Sequence, residues 1–473
     1  MRRILFGLIF LITSLGVASQ EKNGYQISFT INGLRDSTVF LAYHLGDKQY
    51  ILDTIKLDAS GSAQVSGREA LQQGIYMIVL PGKRFFEILM PEDQHFSFTC
   101  SFNDPFSTLS FSGSTENTSF LEYQKNWGKM QQRASAISRR LQNNKQNNDS
   151  VKILSEAQKS QEEKMKSYLK GVVSDNRSNL LSVLVKAMLP VDLPPVIVPL
   201  NAPNPDSLRW ILTYLNNKDH FFDNIDLTDE RLIRTPILQS RLNTFFTHVV
   251  IQAPDSINKE IERVIKRSER NYNMFQFVSV WLFNHFRESE IMGHDGVIVK
   301  LADDIYLSGK ADWVSKEFKD DLRKQVELIR PNLIGRKAAD LVMDSHRGVF
   351  VSLFDIEADF TVLYFWEPDC GHCNVSTPKL RTFYETAREA GVEVFTVCTS
   401  SDRAKWSKYI EENKLVWING WDPQRRTRFD FFYNVQSTPL IYILDRNKTI
   451  IAKKISAEDV GPFIESYRKA FRQ

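Results

Sequence analysis

Residues 360–373 decide the fold of the C-terminal part of this chain, and they read FTVLYFWEPDCGHC. The first seven are apolar, aromatic or β-branched, which is typical of a β-strand. The motif Cys370-Gly371-His372-Cys373 follows after a three-residue gap, and Pro378 lies five residues beyond Cys373. We therefore predict a strand, a short loop and a helix that begins at the two cysteines.

This placement of two cysteines suits thiol–disulfide chemistry. The thiolate is the nucleophile, and a thiol with an ordinary pKa of ~8.5 is mostly protonated at neutral pH. Unpaired N–H groups and the positive end of a helix dipole favour the anion at the helix start. We predict Cys370 as the exposed nucleophile and Cys373 as the resolving thiol, because the two-residue spacing lets the second sulfur reach the first. A charged His372 would stabilise the Cys370 thiolate, and Asp369 would destabilise it.

Other uses of the cysteines stay open. The pair could form a purely structural disulfide or half of a zinc site. Zinc usually needs a second ligand pair, and Cys398 is the only other cysteine in residues 331–473. We predict no metal and no cofactor. Cys398 has either a third redox role or the role of a small buried hydrophobe. One further set of possible ligands matches no metal-binding spacing and is interpreted as structural: His285, Glu288, His294 and Asp295.

Residues 331–473 resemble a thioredoxin fold, closest in layout to the exported TlpA/ResA-like thiol–disulfide oxidoreductases. In that family a cis-proline begins a central strand and faces the two cysteines, and Pro439, which ends the sequence VQSTP, matches it. The resemblance implies that Thr438 and Pro439 hold the substrate chain, with the Thr438 backbone pairing with it as an added strand. Pro378 matches the kink proline of the active-site helix, and residues 391–421 match an additional βα segment.

The chain departs from the thioredoxin pattern in two places. Tyr364 stands where many thioredoxins have a buried acid, and Asp369 replaces the usual tryptophan. The usual proton acceptor for Cys373 is therefore missing or replaced. Glu367 is one candidate, and the other interpretation is that it is a solvated loop residue. The dipeptide Gly371-His372 is that of protein disulfide isomerases, whereas the overall layout suggests a reductase.

The N-terminus predicts export. Arg2 and Arg3 precede an apolar run over residues 4–12, and small residues follow at 16–19. This pattern is typical of a secretory signal peptide, which we place at residues 1–19; a buried N-terminal helix is the alternative. No later stretch reaches the roughly 18 apolar residues of a membrane span. We therefore predict a periplasmic protein that does not span the membrane after signal cleavage.

The rest of the chain predicts a multidomain protein. Alternating strands and turn residues indicate a small all-β, sandwich-like domain at residues 20–115. An all-α domain is expected at 116–330, interrupted by an extended arm with six prolines in 190–205. Both regions resemble domains of unknown function that precede thioredoxin-like domains in many Bacteroidota proteins. Residues 331–473 complete the chain as the C-terminal α/β thioredoxin fold.

Composition narrows the classes of partner. Hydrophobic residues make up 42% and charged residues 25% of the 473 residues, as in ordinary globular proteins. The net charge is +3, and removing Arg2 and Arg3 lowers it to +1. Such a balance provides no field that would attract nucleic acid or an anionic membrane.

The leading hypothesis is an exported enzyme, a thiol–disulfide oxidoreductase that reduces or exchanges protein disulfides through Cys370 and Cys373. Reductase activity is favoured over isomerase or oxidase activity, and a peroxidase is disfavoured. The expected partners are protein thiols or disulfides and an upstream redox protein that recycles the pair, and a homodimer is a further hypothesis. The alternative is a module that binds a partner or the cell envelope, with the thioredoxin fold as a scaffold.

Overall fold

The computed structural model describes residues 24–144, 146–176, 179–199 and 201–471. The predicted signal peptide at residues 1–19 lies outside this part of the chain. The chain divides into two compact units, the first ending at Val249 and the second beginning at Val250. The predicted fold class is confirmed, because β-sheets, a helical region and an α/β domain follow one another along the chain. The boundaries between the predicted domains stay predictions.

The first unit opens with two four-stranded sheets, ordered β4-β1-β7-β8 and β3-β2-β5-β6. Side chains from both sheets share one hydrophobic core, to which β1 contributes Ile27, Phe29 and Ile31 at every second position. The strands are β1 Tyr25–Asn32, β2 Thr38–Leu45, β3 Lys48–Lys56, β4 Ser62–Gly67, β5 Gly74–Val79, β6 Phe85–Met90, β7 His95–Ser101 and β8 Ser110–Ser112.

Helices make up the rest of the first unit. The proline-rich arm forms neither helix nor strand between Leu189 and Pro199, as expected for chain that lacks so many N–H donors. Thr235 caps α6 by accepting the N–H of Ile237 at 3.2 Å. The helices are α1 Pro105–Thr108, α2 Thr115–Asn143, α3 Asn148–Asp175, α4 Leu180–Met188, α5 Pro205–Asp219 and α6 Pro236–Thr244.

Helices α7 Pro254–Ser268, α8 Tyr272–Arg287, α9 His294–Leu301 and α10 Lys316–Ile329 begin the second unit. Gly293 separates α8 from α9 with a φ of +91°, a left-handed conformation that favours glycine. His294 is buried, and its Nδ1 lies 2.8 Å from the Ser289 hydroxyl. No group of three or more potential ligands suited to a metal ion occurs in the described part of the chain.

A seven-stranded sheet, ordered β10-β9-β13-β12-β11-β14-β15, forms the centre of the C-terminal domain. Strands β11, β12 and β13 are parallel, and β14 runs antiparallel to β11. The strands are β9 Val342–Ser345, β10 Phe350–Ser352, β11 Phe360–Trp366, β12 Val392–Cys398, β13 Ile418–Trp421, β14 Leu440–Asp445 and β15 Ile450–Lys453. The helices are α11 Gly371–Ala387, α12 Arg403–Glu412, α13 Phe429–Phe432 and α14 Val460–Phe471.

Strand β11 is buried along its whole length because helices and loops cover both faces of the sheet. Val362, Tyr364 and Trp366 point to the core that contains the side chains of α11. Leu363 and Phe365 point to a second core on the opposite face. Successive residues of β11 are all hydrophobic because alternate side chains pack in two different cores.

A buried ion pair ties the helices of the second unit to its sheet. The ammonium of Lys453, a residue only 2% exposed, binds the carboxylate of Asp295 at the start of α9. It also donates to the backbone and side-chain oxygens of Asn332 at 2.9 and 3.1 Å. Burial lowers the pKa of Lys453, and Asp295 opposes that shift.

Across the described residues, no helix combines the length and the apolar character that a membrane crossing would require.

Candidate functional site

The two cysteines lie at the start of α11, where the sequence places them. Cys370 is the N-cap, and its Sγ accepts the backbone N–H of Cys373 at 3.1 Å. This N–H is one of the first-turn donors that have no partner within a helix. Cys370 is partly exposed, whereas Cys373 is fully buried. The capping bond therefore favours negative charge on the more accessible sulfur.

Strand order brings Thr438 and Pro439 to the same end of the sheet. Leu440 begins β14 and pairs with Phe365 near the end of the antiparallel strand β11. The peptide bond between Thr438 and Pro439 is cis, as the resemblance implies. The Cys370 thiol donates to the Thr438 carbonyl oxygen at 3.4 Å. The cysteine pair and the proline loop thus form one site, although they are far apart in the sequence.

The interior of the site keeps Cys373 protonated. Burial is the main cause that raises the pKa of the Cys373 thiol to about 12, and the neighbouring Cys370 contributes in the same direction. The backbone of Glu367 and the hydroxyl of Thr438 form hydrogen bonds that lower the pKa. Cys373 is therefore buried and held protonated, whereas Cys370 is partly exposed, which is the asymmetry expected of a nucleophile and a resolving thiol.

Neutral hydroxyls occupy the region where many thioredoxins have a buried acid. Tyr364 Oη lies 3.1 Å from Thr377 Oγ1, and burial raises the pKa of Tyr364 far above its usual value. Burial also raises the pKa of Tyr409, on which the charge of Cys373 acts. Thr377 could have been found from the sequence, because it lies one helical turn after Cys373. Tyr409 has no such local signal, since it comes from α12.

A salt bridge changes the expected effect of Asp369. Lys405 of α12 lies 2.7 Å from the Asp369 carboxylate, and the two side chains are 53% and 70% exposed. The hydrogen bond that Lys405 donates to Asp369 raises the pKa of Lys405. Lys405 offsets a negative charge that the sequence alone left unbalanced beside Cys370. His372 is exposed on the first turn of α11, so any effect on Cys370 acts through solvent.

Cys398 ends β12 opposite Trp366, at the same edge of the sheet. It is 1% exposed, and burial raises its pKa to about 12. Its surroundings match those of a small buried hydrophobe. Cys100 in the first unit is equally buried, with a pKa raised to about 11 by burial.

Glu367 occupies the loop between β11 and α11 and contacts the proline loop. Its Oε1 accepts a hydrogen bond from Thr438 Oγ1 at 3.4 Å. The side chain is therefore oriented by the site and is not simply a solvated loop residue. Sequence position identified Glu367 as a candidate, but its link to Thr438 depends on the approach of β14 to β11.

Part of the chain is similar to known proteins. Residues 334–453 match the model of the AhpC/TSA family. Nucleoredoxin of Mus musculus is 26% identical over 111 residues, which are 23% of this chain and 26% of that protein. The chain thus spans about a quarter of the length of this curated relative.

Two solved structures are similar to part of this chain. One is a domain of a possible thiol-disulfide isomerase from Cytophaga hutchinsonii, with 36% identity, coverage of 30% of this chain and 96% of that one, and a TM-score of 0.29. The other is the thioredoxin domain of a thiol-disulfide oxidoreductase from Bacteroides vulgatus. It is 25% identical, the match covers 28% of this chain and 96% of that one, and the TM-score is 0.27.

Proposed function

We propose that this protein belongs to the AhpC/TSA family, whose model matches residues 334–453, and that it reduces or exchanges disulfides in exported proteins. Within that family its layout is closest to the TlpA/ResA-like group. The predicted signal peptide at residues 1–19 supports export to the periplasm. Protein disulfides are the proposed substrates, and a separate dithiol donor recycles the protein.

One observation carries the proposal. A partly exposed Cys370 caps α11 and touches the Thr438 carbonyl, while Cys373 lies buried one turn further along. A disulfide that enters beside Pro439 would meet Cys370 first. Cys373 would be shielded from the substrate and available only to the sulfur of Cys370.

The proposed reaction has two exchanges. The Cys370 thiolate attacks one sulfur of the substrate disulfide, and the other substrate sulfur leaves as a thiolate that takes up a proton. Cys373 then loses its proton and attacks Cys370 Sγ, which releases the second substrate thiol. The substrate gains two electrons and two protons, and the protein ends with a bond between Cys370 and Cys373.

We favour reduction over oxidation as the direction of this reaction. A strongly oxidising pair requires a reduced form in which the thiolate is strongly stabilised. Here Cys370 Sγ accepts one backbone N–H and donates to one carbonyl oxygen, and His372 is exposed. The N–H favours the thiolate, whereas the carbonyl oxygen favours the protonated thiol, and this balance supports a reducing pair.

Insulin reduction by the full chain, with dithiothreitol as electron donor, tests the proposal. Replacing Cys370 with Ser should abolish turnover. Cys373→Ser should instead accumulate mixed disulfides that are visible by mass spectrometry. The matched control is Cys100→Ser, which removes an equally buried thiol from the first unit and should retain full activity. Unchanged turnover by the Cys370 variant would overturn the proposed function.

The reduction potential of the pair tests the direction. Equilibration with glutathione buffers, followed by mass measurement of the trapped thiols, should give a value near that of thioredoxin, about −270 mV. A value near about −120 mV, as in strong oxidants, would show that the pair introduces disulfides.

A further inference from the structure

The proline loop, residues 433–439, joins α13 to β14 and is held at both of its ends. Pairing of β14 with β11 fixes the far end. At the near end, the Asn332 side chain donates to the carbonyl oxygen of Phe432 at 3.2 Å. The Tyr442 hydroxyl donates to the next carbonyl oxygen, that of Tyr433, at 2.6 Å. Two successive peptide groups are therefore fixed where the chain leaves α13.

Asn332 is a buried residue that uses every hydrogen-bonding group of its side chain. It is 2% exposed. Besides its bond to Phe432, its Nδ2 donates to the carbonyl oxygen of Leu328 near the end of α10, at 2.7 Å. Its Oδ1 accepts a hydrogen bond from the Lys453 ammonium at 3.1 Å. A flip of the amide would turn its N–H groups toward that cation and its oxygen toward two carbonyl oxygens, so these bonds fix one orientation.

The Lys453 ammonium that holds Asn332 belongs to the buried ion pair with Asp295. Lys453 lies directly opposite Tyr442 in the pairing of β15 with β14. Burial and, more weakly, the charge of Asp295 raise the pKa of Tyr442, so its hydroxyl keeps the proton that it donates to Tyr433. One connected set of side chains from α9, from the segment after α10 and from β15 thus supports the start of the proline loop.

Part of this support lies outside the region that matches the AhpC/TSA family. The match begins at residue 334, whereas Asp295 and Asn332 come earlier in the chain. Asp295 is in the first turn of α9, and Asn332 follows α10. The helical part of the second unit therefore contributes contacts to a loop of the candidate site.

We propose that Asn332 is a positioning residue for the disulfide substrate, because it fixes the start of the loop whose Thr438 backbone pairs with that substrate. This inference rests on the proposed function, which assigns Thr438 and Pro439 to the substrate chain. Asn332 acts through Phe432 and not on the reacting sulfurs. It limits the positions that the Thr438 carbonyl takes beside the Cys370 thiol, which donates to it at 3.4 Å. A misplacement of about 1 Å at a reacting site costs up to about 10²-fold in rate.

Two reactions of the full chain separate this role from a general loss of stability. Reduction of insulin, with dithiothreitol in excess, uses the proline loop. Alkylation of Cys370 by iodoacetamide needs only the sulfur, because the reagent has no peptide that pairs with the loop. Asn332→Ala should lower kcat/KM for insulin about tenfold, mainly through a higher KM, since contacts that bind the substrate are lost. The alkylation rate should change by less than about twofold, because it follows the thiolate of Cys370.

Asn419→Ala is the matched control. Asn419 is also buried, and its Nδ2 donates to the carbonyl oxygens of Leu415 and Trp417, each at 3.0 Å. Its Oδ1 accepts from Thr396 and from the Trp417 indole, so none of these bonds reaches the proline loop. The control should lower the free energy of unfolding in urea as Asn332→Ala does, yet leave kcat/KM for insulin unchanged.

Tyr442→Phe keeps the ring and removes only the hydroxyl that holds Tyr433, so it tests the same anchor even where the alanine variant does not fold. It should lower kcat/KM for insulin about threefold, with the alkylation rate unchanged. Unchanged kcat/KM in a folded Asn332→Ala chain or in Tyr442→Phe would overturn the positioning role and leave the proposed function standing. An equal fall in alkylation, or in the Asn419 variant, would do the same. Failure of the unsubstituted chain to reduce insulin would instead overturn the proposed function, and the positioning role with it.

Discussion

Alkylation of the reduced, folded protein should modify one of its four thiols, and that thiol should be Cys370. The structure shows four unpaired cysteines, of which only Cys370 is more than marginally exposed. Cys373 is fully buried, and Cys100 and Cys398 are each 1% exposed. Because a cysteine reacts with iodoacetamide as its thiolate, both burial and ionisation protect the other three.

Ionisation alone sets a large difference in rate. At pH 8 a thiol with a pKa of about 12, as for Cys373 and Cys398, is ionised to about one part in 10⁴. Cys100, with a pKa of about 11, is ionised to about one part in 10³. An ordinary exposed thiol with a pKa of ~8.5 is ionised to about one part in four. The three buried thiols should therefore react about 10²- to 10³-fold more slowly than an ordinary thiol, before their inaccessibility slows them further.

Intact mass measurement after a brief exposure to iodoacetamide at pH 8 provides the assay. The unsubstituted chain should gain one carbamidomethyl group, and peptide mapping should place it on Cys370. Cys370→Ser should gain none while folded, and guanidinium should expose all remaining thiols in both proteins. Rapid addition of two or more groups to the folded chain would refute the burial argument. A single group on Cys398 would refute the assignment of the nucleophile.

Three further changes test separate parts of the structure. Lys405→Met leaves the negative charge of Asp369 unbalanced beside Cys370, which disfavours the thiolate of the reduced pair. The reduction potential from glutathione equilibration should therefore become more negative, by less than about 20 mV because exposed ion pairs are weak. Asp369→Asn should make the potential less negative. Lys453→Met leaves Asp295 without its buried cation, so the free energy of unfolding of the second unit in urea should fall by about 3–5 kcal/mol. A double variant that also carries Asp295→Leu should recover most of this free energy, because no unpaired charge is then buried. Asn117→Leu removes the side-chain hydrogen bonds to the N–H and the carbonyl oxygen of Leu89 in β6, at 2.8 and 3.0 Å, and should cost about 2–4 kcal/mol in the denaturation of the first unit. A change below about 0.5 kcal/mol in the Lys453→Met or the Asn117→Leu variant would contradict the role assigned to that residue.

Local sequence signals predicted the site where the chemistry depends on neighbours in the chain. The strand, the loop and the helix around Cys370 follow from the residue types in 360–373. The spacing of Cys370 and Cys373 places one sulfur at the helix start and the other inside it. Gly293 and Thr235 likewise mark helix ends because backbone conformation and capping act within a few residues.

Contacts between distant segments could not be predicted in the same way. Lys405 is 36 residues from Asp369, and nothing in the spacing indicates that α12 places its ammonium there. Tyr409 comes from the same helix, and the bond between Thr438 and Glu367 joins residues 71 positions apart. Each of these contacts depends on how the strands are ordered in the sheet. Residue patterns predict the fold class but not the distances that this order creates.

The sequence by itself determined the multidomain fold class and the position of the two cysteines between a strand and a helix, since periodicity, capping and spacing are local properties. Resemblance to a family added the thioredoxin-like layout of residues 331–473. Only the tertiary structure decided how the charge of Asp369 is balanced, which groups surround Cys373 and that Glu367 contacts Thr438. The physical reason is that burial and electrostatic interactions depend on distance in space. Those distances are set when β14 docks against β11 and α12 packs beside the loop that carries the cysteines.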